Sequence, residues 1–162
     1  MLGILKFMNK EELFSVADNL KKEGDFLLRD SKLIETLSQF GGVHISGAYS
    51  VNLMMHGDID LYVVLGECTQ EKVLEILNVL IRENYFRGFY YGDYIKYPKD
   101  GFPKGYYIGL NTMHNNAFWK FDLWFIDKVD EEKDTYMKFI EENLTDETRY
   151  EILKRKKERN DT

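Results

Sequence analysis

The strand predicted over residues 58–65 constrains this chain more than any other segment. Its residues, Asp-Ile-Asp-Leu-Tyr-Val-Val-Leu, are rich in the β-branched and aromatic side chains that favour strands. Because side chains alternate between the two faces of a strand, Asp58 and Asp60 share one face, while Ile59 and Leu61 point to the core. Two ionised carboxylates roughly 7 Å apart on one face repel each other unless a cation lies between them. The pair therefore predicts a site for Mg²⁺ or Mn²⁺, hard cations that prefer oxygen ligands.

A third acid, Asp122, interrupts the otherwise apolar strand Phe-Asp-Leu-Trp-Phe at residues 121–125. A lone carboxylate in such a strand is costly to bury without a partner. If this strand neighbours the first one, Asp122 lies about one strand spacing, ~4.8 Å, from the acid pair. Three such acids can hold two metal ions about 3.5–4 Å apart, an arrangement that serves phosphoryl and nucleotidyl transfer. The alternative is that Asp122 simply pairs with Lys120.

The turn at residues 46–50, Ser-Gly-Ala-Tyr-Ser, follows a short predicted strand and precedes an apolar stretch. Gly47 allows the backbone to come close to a ligand, and amides at a helix start favour phosphate. Such a turn alone is a weak signal. It becomes more specific here because only nine residues separate Ala48 from Asp58.

The segment from Ile45 to Val64 resembles the signature of the DNA polymerase beta-like nucleotidyltransferase superfamily. That signature is an apolar residue, Gly, a small residue, a spacer of about nine to thirteen residues, and then Asp, apolar, Asp, apolar. Gly47, Ala48 and residues 58–61 match it, and Asp122 matches the third strand-borne Asp of the family. Ala48 stands where the family usually has Ser, and Gly57 stands where a Ser often precedes the acid pair.

The resemblance implies transfer of a nucleoside monophosphate from an NTP to an acceptor, with Mg²⁺ (or Mn²⁺) as cofactor. It implies that Asp58, Asp60 and Asp122 ligate the metal and carry the catalysis. The turn residues Ser46, Gly47, Ala48 and Ser50 are the corresponding candidates for nucleotide binding. The acceptor, a small molecule, a protein or a tRNA end, stays open, as does the choice of NTP.

Caps, periodicity and turn residues predict a single α/β (α+β) domain over residues 1–162, with a nucleotidyltransferase-like mixed β-sheet flanked by helices. Helical elements are expected at about 9–41 and about 131–159. Asn9 and Glu12 form a capping box for the first helix, which Gly24 is expected to end. Short helical turns are expected around Val51–Met55. The other expected elements are strands at 43–46, 58–65, 86–91, 105–112 and 117–126, and a helix from Thr69 to Asn84.

The formal charge of −6 makes extended duplex nucleic acid a poor candidate partner, because proteins that bind it usually present a basic face. The first residues lack the apolar run of a signal peptide, and no stretch reaches the length of a membrane span. The single cysteine excludes an intrachain disulfide. A cytoplasmic protein that does not contact membranes is therefore expected. A protein partner or a homo-oligomer stays open.

Two further segments allow two interpretations each. The basic cluster at residues 154–159 is expected to be a solvated helix end, which complements the helix dipole, rather than a contact to RNA or phosphate. The aromatic run at residues 85–91 is expected to alternate on a half-buried strand rather than to stack on bases.

Three hypotheses for function follow. The first is a metal-dependent nucleotidyltransferase. The second, favoured by Ala48, is a catalytically inactive nucleotide- or protein-binding module of the same fold, as in a toxin–antitoxin pair. The third and weakest is a metal-dependent phosphodiesterase.

Overall fold

A computed structural model of the chain describes residues 8–129 and 131–160, without the side chains of 132–134 and 160. The chain start, for which no signal peptide is expected, lies outside the described residues. The elements follow the predicted order. They are α1 (Lys10–Asp30), α2 (Leu33–Ser38), β1 (Gly42–Ser46), α3 (Gly47–Ser50), β2 (Gly57–Val64), α4 (Gln70–Arg82), β3 (Gly88–Asp93), β4 (Tyr106–His114), β5 (Ala117–Ile126), α5 (Glu131–Asn143) and α6 (Asp146–Asn160).

The five strands form one mixed sheet in the order β1-β2-β5-β4-β3. Only β2 and β5 run parallel, and the other neighbouring pairs are antiparallel. Helices flank this sheet, so the predicted α+β class with a mixed sheet is confirmed. Among the described residues, no helix has the length and apolar character needed to cross a membrane.

One face of the sheet carries the main hydrophobic core. Ile59, Leu61 and Val63 of β2 are fully buried, as the alternation of the sequence predicts. Trp119, Phe121, Leu123 and Phe125 of β5 extend this layer, and the buried faces of α2, α4 and the C-terminal half of α1 pack with it. The other face of β2 therefore presents Asp58 and Asp60 away from the core.

A second, smaller core joins α1 and α6 to the loop after α3. Leu13 and Ala17 of α1 pack with Val51, Leu53 and Leu153 in this cluster. The helical ends of the chain are thus tied to the segment that leads into β2.

The ends of two predicted elements needed correction. Asn9 caps α1 with the predicted capping box, but Gly24 does not end this helix, which continues to Asp30. Gly24 is buried in the middle of α1, where a Cβ would lie 2.8 Å from the Tyr49 ring, so the glycine serves close packing. The predicted helical turns around Val51–Met55 are also displaced, because the short helix α3 is formed by residues 47–50 instead.

Other boundaries agree with the sequence pattern. Thr69 caps α4 through its side chain, and Asn84 adopts the left-handed conformation just after the helix. Strand β3 begins at Gly88, two residues later than expected, and pairs antiparallel with β4.

Candidate metal centre

The three carboxylates that the sequence singles out meet at the centre of the sheet. Asp60 of β2 lies directly opposite Asp122 of β5 in the parallel register. Asp58 lies two residues before Asp60 and on the same face. One oxygen from each of the three carboxylates lies within 4.8 Å of the others. The predicted neighbour relation between the two acid-bearing strands is therefore what the structure has.

The electrostatics of this cluster are unfavourable without a cation. Burial, followed by the charges of Asp58 and Asp122, raises the pKa of Asp60 from 3.8 to about 7. Burial and the charge of Asp122 also raise the pKa of Asp58. Among the described residues, nothing donates a hydrogen bond to the buried Oδ1 of Asp58. A buried carboxylate oxygen without a partner is costly, and a bound cation would satisfy it.

The donor set fits a hard divalent cation. Carboxylate oxygens from three side chains are the ligands that Mg²⁺ and Mn²⁺ prefer, and the unpartnered Oδ1 of Asp58 leaves a lone pair for such an ion.

Asp122 already has two partners on the protein. The Tyr107 hydroxyl donates a hydrogen bond to Oδ1 of Asp122. The Lys120 ammonium lies 2.6 Å from Oδ2. The alternative interpretation, in which Asp122 pairs with Lys120, is therefore also realised. For Lys120, burial alone lowers the pKa, but the Asp122 hydrogen bond and the three acid charges outweigh it and raise the pKa.

Tyr107 reaches Asp122 because Gly109 has no side chain. Gly109 lies opposite Asp122 on β4, and a Cβ there would lie 2.6 Å from the Tyr107 hydroxyl oxygen. Sequence reasoning did not single out Tyr107 or Gly109, since their roles depend on the pairing of β4 with β5. A local signal for that pairing exists in the two-residue turn Asn115-Asn116, where both residues have positive φ as in a tight β-hairpin, but the sequence prediction did not use it.

The glycine of the turn is needed for contact with an acid of the cluster. Gly47 has a φ of +68°, and a Cβ at this position would lie 2.0 Å from Oδ2 of Asp60. Only glycine combines this backbone conformation with such a close approach. The structure therefore shows a close approach of Gly47 to the Asp60 carboxylate, while the predicted approach to a ligand stays a prediction.

The other turn residues differ in their positions. Ser46 lies opposite Asp60 on β1, so it shares the face of the acids. Ala48 packs against both hydrophobic cores. Ser50 is exposed, and its hydroxyl donates to the Gly47 carbonyl at 2.8 Å. Ser46 and Gly47 therefore lie beside the cluster, whereas Ser50 bonds within the turn.

Gly57 and Ala48, which depart from the family signature, have structural reasons. A Cβ at Gly57 would lie 2.6 Å from the Trp119 ring, so a serine does not fit before the acid pair. Ala48 is partly buried and packs against both cores, where its methyl group contributes apolar contact. Packing against Trp119 therefore explains the departure at Gly57, and Ala48 joins the two cores.

The interpretation of the basic tail as a solvated helix end holds for Arg155 and Arg159, which are exposed, but is wrong for Lys156. The half-buried Lys156 ammonium donates to the Leu53 carbonyl at 2.9 Å. Burial, followed by the charge of Arg159, lowers its pKa, and it is close enough for Asp60 and Asp58 to act on it. Because Lys156 and Leu53 are 103 residues apart in the sequence, only the tertiary structure brings α6 to this loop.

The aromatic run alternates as expected. Phe89 and Tyr91 pack against the core, and Tyr90 lies on the acid-bearing face with 60% of its surface exposed. Tyr90 is the β3 neighbour of Gly109, which makes it part of the same row across the sheet as Asp122.

Comparisons with protein-family models, with curated proteins and with solved structures found no significant match to this chain.

Proposed function

We propose that this protein is a metal-dependent nucleotidyltransferase that moves a nucleoside monophosphate from an NTP to an acceptor. The observation that carries the proposal is the cluster of three carboxylates on two adjacent parallel strands, with ligand oxygens within 4.8 Å of one another. The buried, unpartnered Oδ1 of Asp58 and the raised pKa of Asp60 support it, because both are relieved by a divalent cation.

In this proposal Asp58, Asp60 and Asp122 hold Mg²⁺ or Mn²⁺. The bound ion supplies positive charge that neutralises the phosphates and stabilises charge developing on the reacting oxygens. The three carboxylates orient the site, and their crowding on one face sets its affinity for cations.

The remaining groups have distinct proposed tasks. Asp122, at the edge of the cluster nearest β4, receives the proton of the acceptor hydroxyl. Tyr107 orients this carboxylate through its hydrogen bond. Backbone amides at Gly47 and Ala48, with Ser46 beside Asp60, bind the phosphates on the β1 side. Ser50 contributes by bracing the turn through its bond to the Gly47 carbonyl.

A second candidate function is a non-catalytic module that binds nucleotide or protein with the same fold. One observation favours it: both oxygens of Asp122 already have protein partners, Tyr107 and Lys120. A carboxylate whose two oxygens both have protein partners has fewer free lone pairs for a metal ion or for the proton of an acceptor. The two candidates differ in turnover, and a module that binds nucleotide shares NTP binding with the enzyme.

The experiment that tests the proposal measures pyrophosphate release. The protein is incubated with each of the four common NTPs and Mg²⁺ or Mn²⁺, and nucleotide binding is measured in parallel. We expect metal-dependent binding and pyrophosphate release in the wild type, and loss of both in Asp58→Asn. Asp127→Asn is the matched control, since Asp127 is an exposed acid directly after β5 that accepts a hydrogen bond from the Cys68 amide.

The outcomes separate the candidates. Binding of the metal–NTP complex without pyrophosphate release favours the non-catalytic module. Metal-dependent hydrolysis of bis(p-nitrophenyl) phosphate without nucleotidyl transfer indicates a phosphodiesterase instead. If neither NTP binding nor turnover depends on Asp58, the nucleotidyltransferase proposal is wrong.

A further inference from the structure

A pocket opens beside Asp122, on the side of the cluster away from the Gly47 turn. Its volume is about 490 Å³, and Asp60, Asp122 and Lys120 lie at its acidic end. This volume is within the range of small-molecule sites, roughly 300–1,000 Å³. The pocket extends over β4 and β3, beneath the connection between these two strands.

Aromatic side chains make up half of the residues that line the pocket. Trp124 and Tyr107, both nearly buried, make the floor, with ring centroids 5.0 Å apart. Tyr94 and Phe102 from the β3–β4 connection contact Trp124 at 4.9 Å and 5.6 Å. Tyr90 stands at the rim, 60% exposed. Large aromatic side chains exposed around a concave surface are typical of ligand sites.

The polar groups of the pocket are few and mostly uncharged. Beyond the acidic end, its described lining contains no charged side chain. Asn111 lines it as well and adds a side-chain amide to the lining. An amide can both donate to and accept from a hydroxyl. The body of a ligand here is therefore uncharged and flat enough to lie against rings, with hydroxyls as its polar groups.

The order of residues across the sheet assigns this ligand a role in the proposed reaction. The row on the acid-bearing face is Ser46, Asp60, Asp122, Gly109 and Tyr90. In nucleotidyl transfer the attacking and leaving oxygens lie roughly in line with the reacting phosphorus. If the leaving pyrophosphate lies at the turn beside Ser46, the attacking oxygen enters from the opposite side, where the pocket is.

We infer that the aromatic pocket is the acceptor subsite and that the acceptor is a small molecule with a flat, uncharged ring and a free hydroxyl. This inference rests on the proposed function. The acceptor oxygen forms a bond to the α-phosphorus of the NTP, and the bond from that phosphorus to the bridging oxygen breaks. Pyrophosphate leaves with the electron pair, and the hydroxyl proton passes to Asp122 and then to solvent.

The composition of the pocket argues against a macromolecular acceptor. An RNA end brings phosphates that need cations, yet Lys120 is the single cationic side chain among the described lining residues and it is paired with Asp122. The net charge of −6 also disfavours RNA.

The test uses defined ring compounds on the metal-free protein, followed by ligand-observed NMR. Phenyl β-D-glucopyranoside presents both an aromatic ring and a sugar ring. Methyl β-D-glucopyranoside carries only the sugar ring and benzyl alcohol carries only the aromatic ring. Comparing their binding therefore identifies which ring the pocket binds. We expect saturable binding of the phenyl glucoside below about 10 mM, which is ordinary for a compound of this size.

Tyr90→Ala is expected to weaken this binding about tenfold, a typical effect of removing one stacking ring. Tyr136→Ala on α5 is the matched control, because Tyr136 is similarly exposed at 63% and does not line the pocket. With Mg²⁺ and NTP present, the phenyl glucoside should accelerate pyrophosphate release. Tyr90→Ala should then raise the KM for the glucoside about tenfold and leave the KM for NTP unchanged.

Three results would overturn the inference. The first is the absence of saturable binding by all three ring compounds. The second is equal binding by wild type and Tyr90→Ala. The third is tighter, Tyr90-dependent binding of a CCA-ended RNA oligonucleotide than of any ring compound.

The failure of the inference is distinguishable from the failure of the proposed function. If the rings do not bind but Mg²⁺–NTP binds in an Asp58-dependent way, only the acceptor assignment falls. If the rings bind and Mg²⁺–NTP does not, the proposed function falls and the acceptor assignment falls with it.

Discussion

The two flanks of the acid cluster are built in different ways. The turn flank consists of residues 46–56, from the end of β1 to the start of β2. The aromatic flank consists of β4, β3 and the 94–105 connection between them. On the turn flank the backbone of Gly47, a residue without a side chain, approaches the Asp60 carboxylate. On the aromatic flank side chains meet the cluster, with Tyr107 bonded to Asp122.

The flanks also differ in how firmly the rest of the chain holds them. Two cations of α6 contact consecutive carbonyls of the turn flank: Arg149 donates to Asn52 and Lys156 donates to Leu53. Arg149 also pairs with Asp18 of α1 at 2.6 Å. The aromatic flank instead exposes Tyr90 and Phe102 at its rim.

This difference suggests that the two flanks bind different parts of the ligands. A fixed backbone next to carboxylates suits a site for metal and phosphate, because these ligands need protein groups held in one geometry. A surface of accessible rings suits a ligand that is recognised by shape. Substitutions on the turn flank should therefore damage metal binding and folding together, whereas substitutions on the aromatic flank should leave the fold intact.

The largest expected effect is that of Gly47→Ala. The alanine would have to adopt the φ of +68° that Gly47 has. Its Cβ would also lie only 2.0 Å from Oδ2 of Asp60 and would overlap it. We expect a loss of roughly 3–5 kcal/mol in the free energy of unfolding, from backbone strain and overlap together. The affinity for Mn²⁺ should fall at least about a hundredfold, because the Asp60 carboxylate is displaced. Urea unfolding and Mn²⁺ titration measure the two effects.

Gly66→Ala separates strain from overlap. Gly66 has a similar φ of +71°, but nothing lies within 4 Å of its Cβ position. This variant should lose only about 1–2 kcal/mol and keep its Mn²⁺ affinity. Equal losses in the two variants would contradict the importance of the close approach to Asp60.

The next effect is a pH dependence of stability in the metal-free protein. The folded state raises the pKa of Asp60 from 3.8 to about 7, so between these pH values the folded state binds more protons than the unfolded state. The contribution of Asp60 to the free energy of unfolding therefore falls as pH rises from about 4 to about 7. The resulting loss in the free energy of unfolding is about 4 kcal/mol at pH 8, because the pKa of Asp60 differs by about three between the folded and the unfolded state.

The comparison with Asp60→Asn isolates this contribution, because Asn resembles the protonated acid at every pH. Asp60→Asn should match the wild type near pH 4 and be more stable by a few kcal/mol at pH 8, without metal. Saturating Mg²⁺ should stabilise the wild type at pH 8 and have no such effect on the variant. A pH-independent difference between the two proteins would be inconsistent with a raised pKa at Asp60.

Much of the turn flank could be predicted from the sequence, because its signals are local. Alternation placed Asp58 and Asp60 on one face of β2, and spacing placed the Gly47 turn shortly before them. The position of Asp122 needed one assumption, that β5 neighbours β2, and the register confirms it.

The residue contacts of the aromatic flank and of α6 were not predicted in this way. Tyr107 meets Asp122 only because β4 pairs with β5 in one register and Gly109 leaves space. Lys156 meets Leu53 across more than a hundred residues of chain, and a basic tail gives no local sign of such a contact. The prediction that Gly24 ends α1 is wrong because a glycine that permits packing looks the same in sequence as one that ends a helix.

A smaller effect is expected from Tyr107→Phe on the aromatic flank. The variant keeps the ring contacts with Trp124 and removes the hydrogen bond to Asp122. Groups that orient metal ligands typically contribute about tenfold or more to affinity, so we expect Mn²⁺ binding to weaken about tenfold. Mn²⁺ titration and thermal unfolding check this. A variant that binds Mn²⁺ like the wild type would show that Asp122 is not oriented by Tyr107.

The smallest effect is expected from Lys156→Met, which tests how α6 holds the turn flank. The substitution removes the hydrogen bond to the Leu53 carbonyl and keeps most of the apolar chain. We expect a loss of about 1–2 kcal/mol in the free energy of unfolding. Arg155→Met, at an exposed position of the same helix, should change it by less than about 0.5 kcal/mol. Equal effects would indicate that α6 does not support the loop through Lys156.

The central claim is that Asp58, Asp60 and Asp122 together hold a divalent metal ion. Titration of Mn²⁺ into the wild type, Asp58→Asn and Asp127→Asn, followed by the EPR signal of the unbound ion, tests it most directly. The wild type and Asp127→Asn should bind Mn²⁺ with the same affinity, and Asp58→Asn should lose this binding because one of the three ligands becomes neutral. If Asp58→Asn binds Mn²⁺ as the wild type does, the three carboxylates are not a metal site.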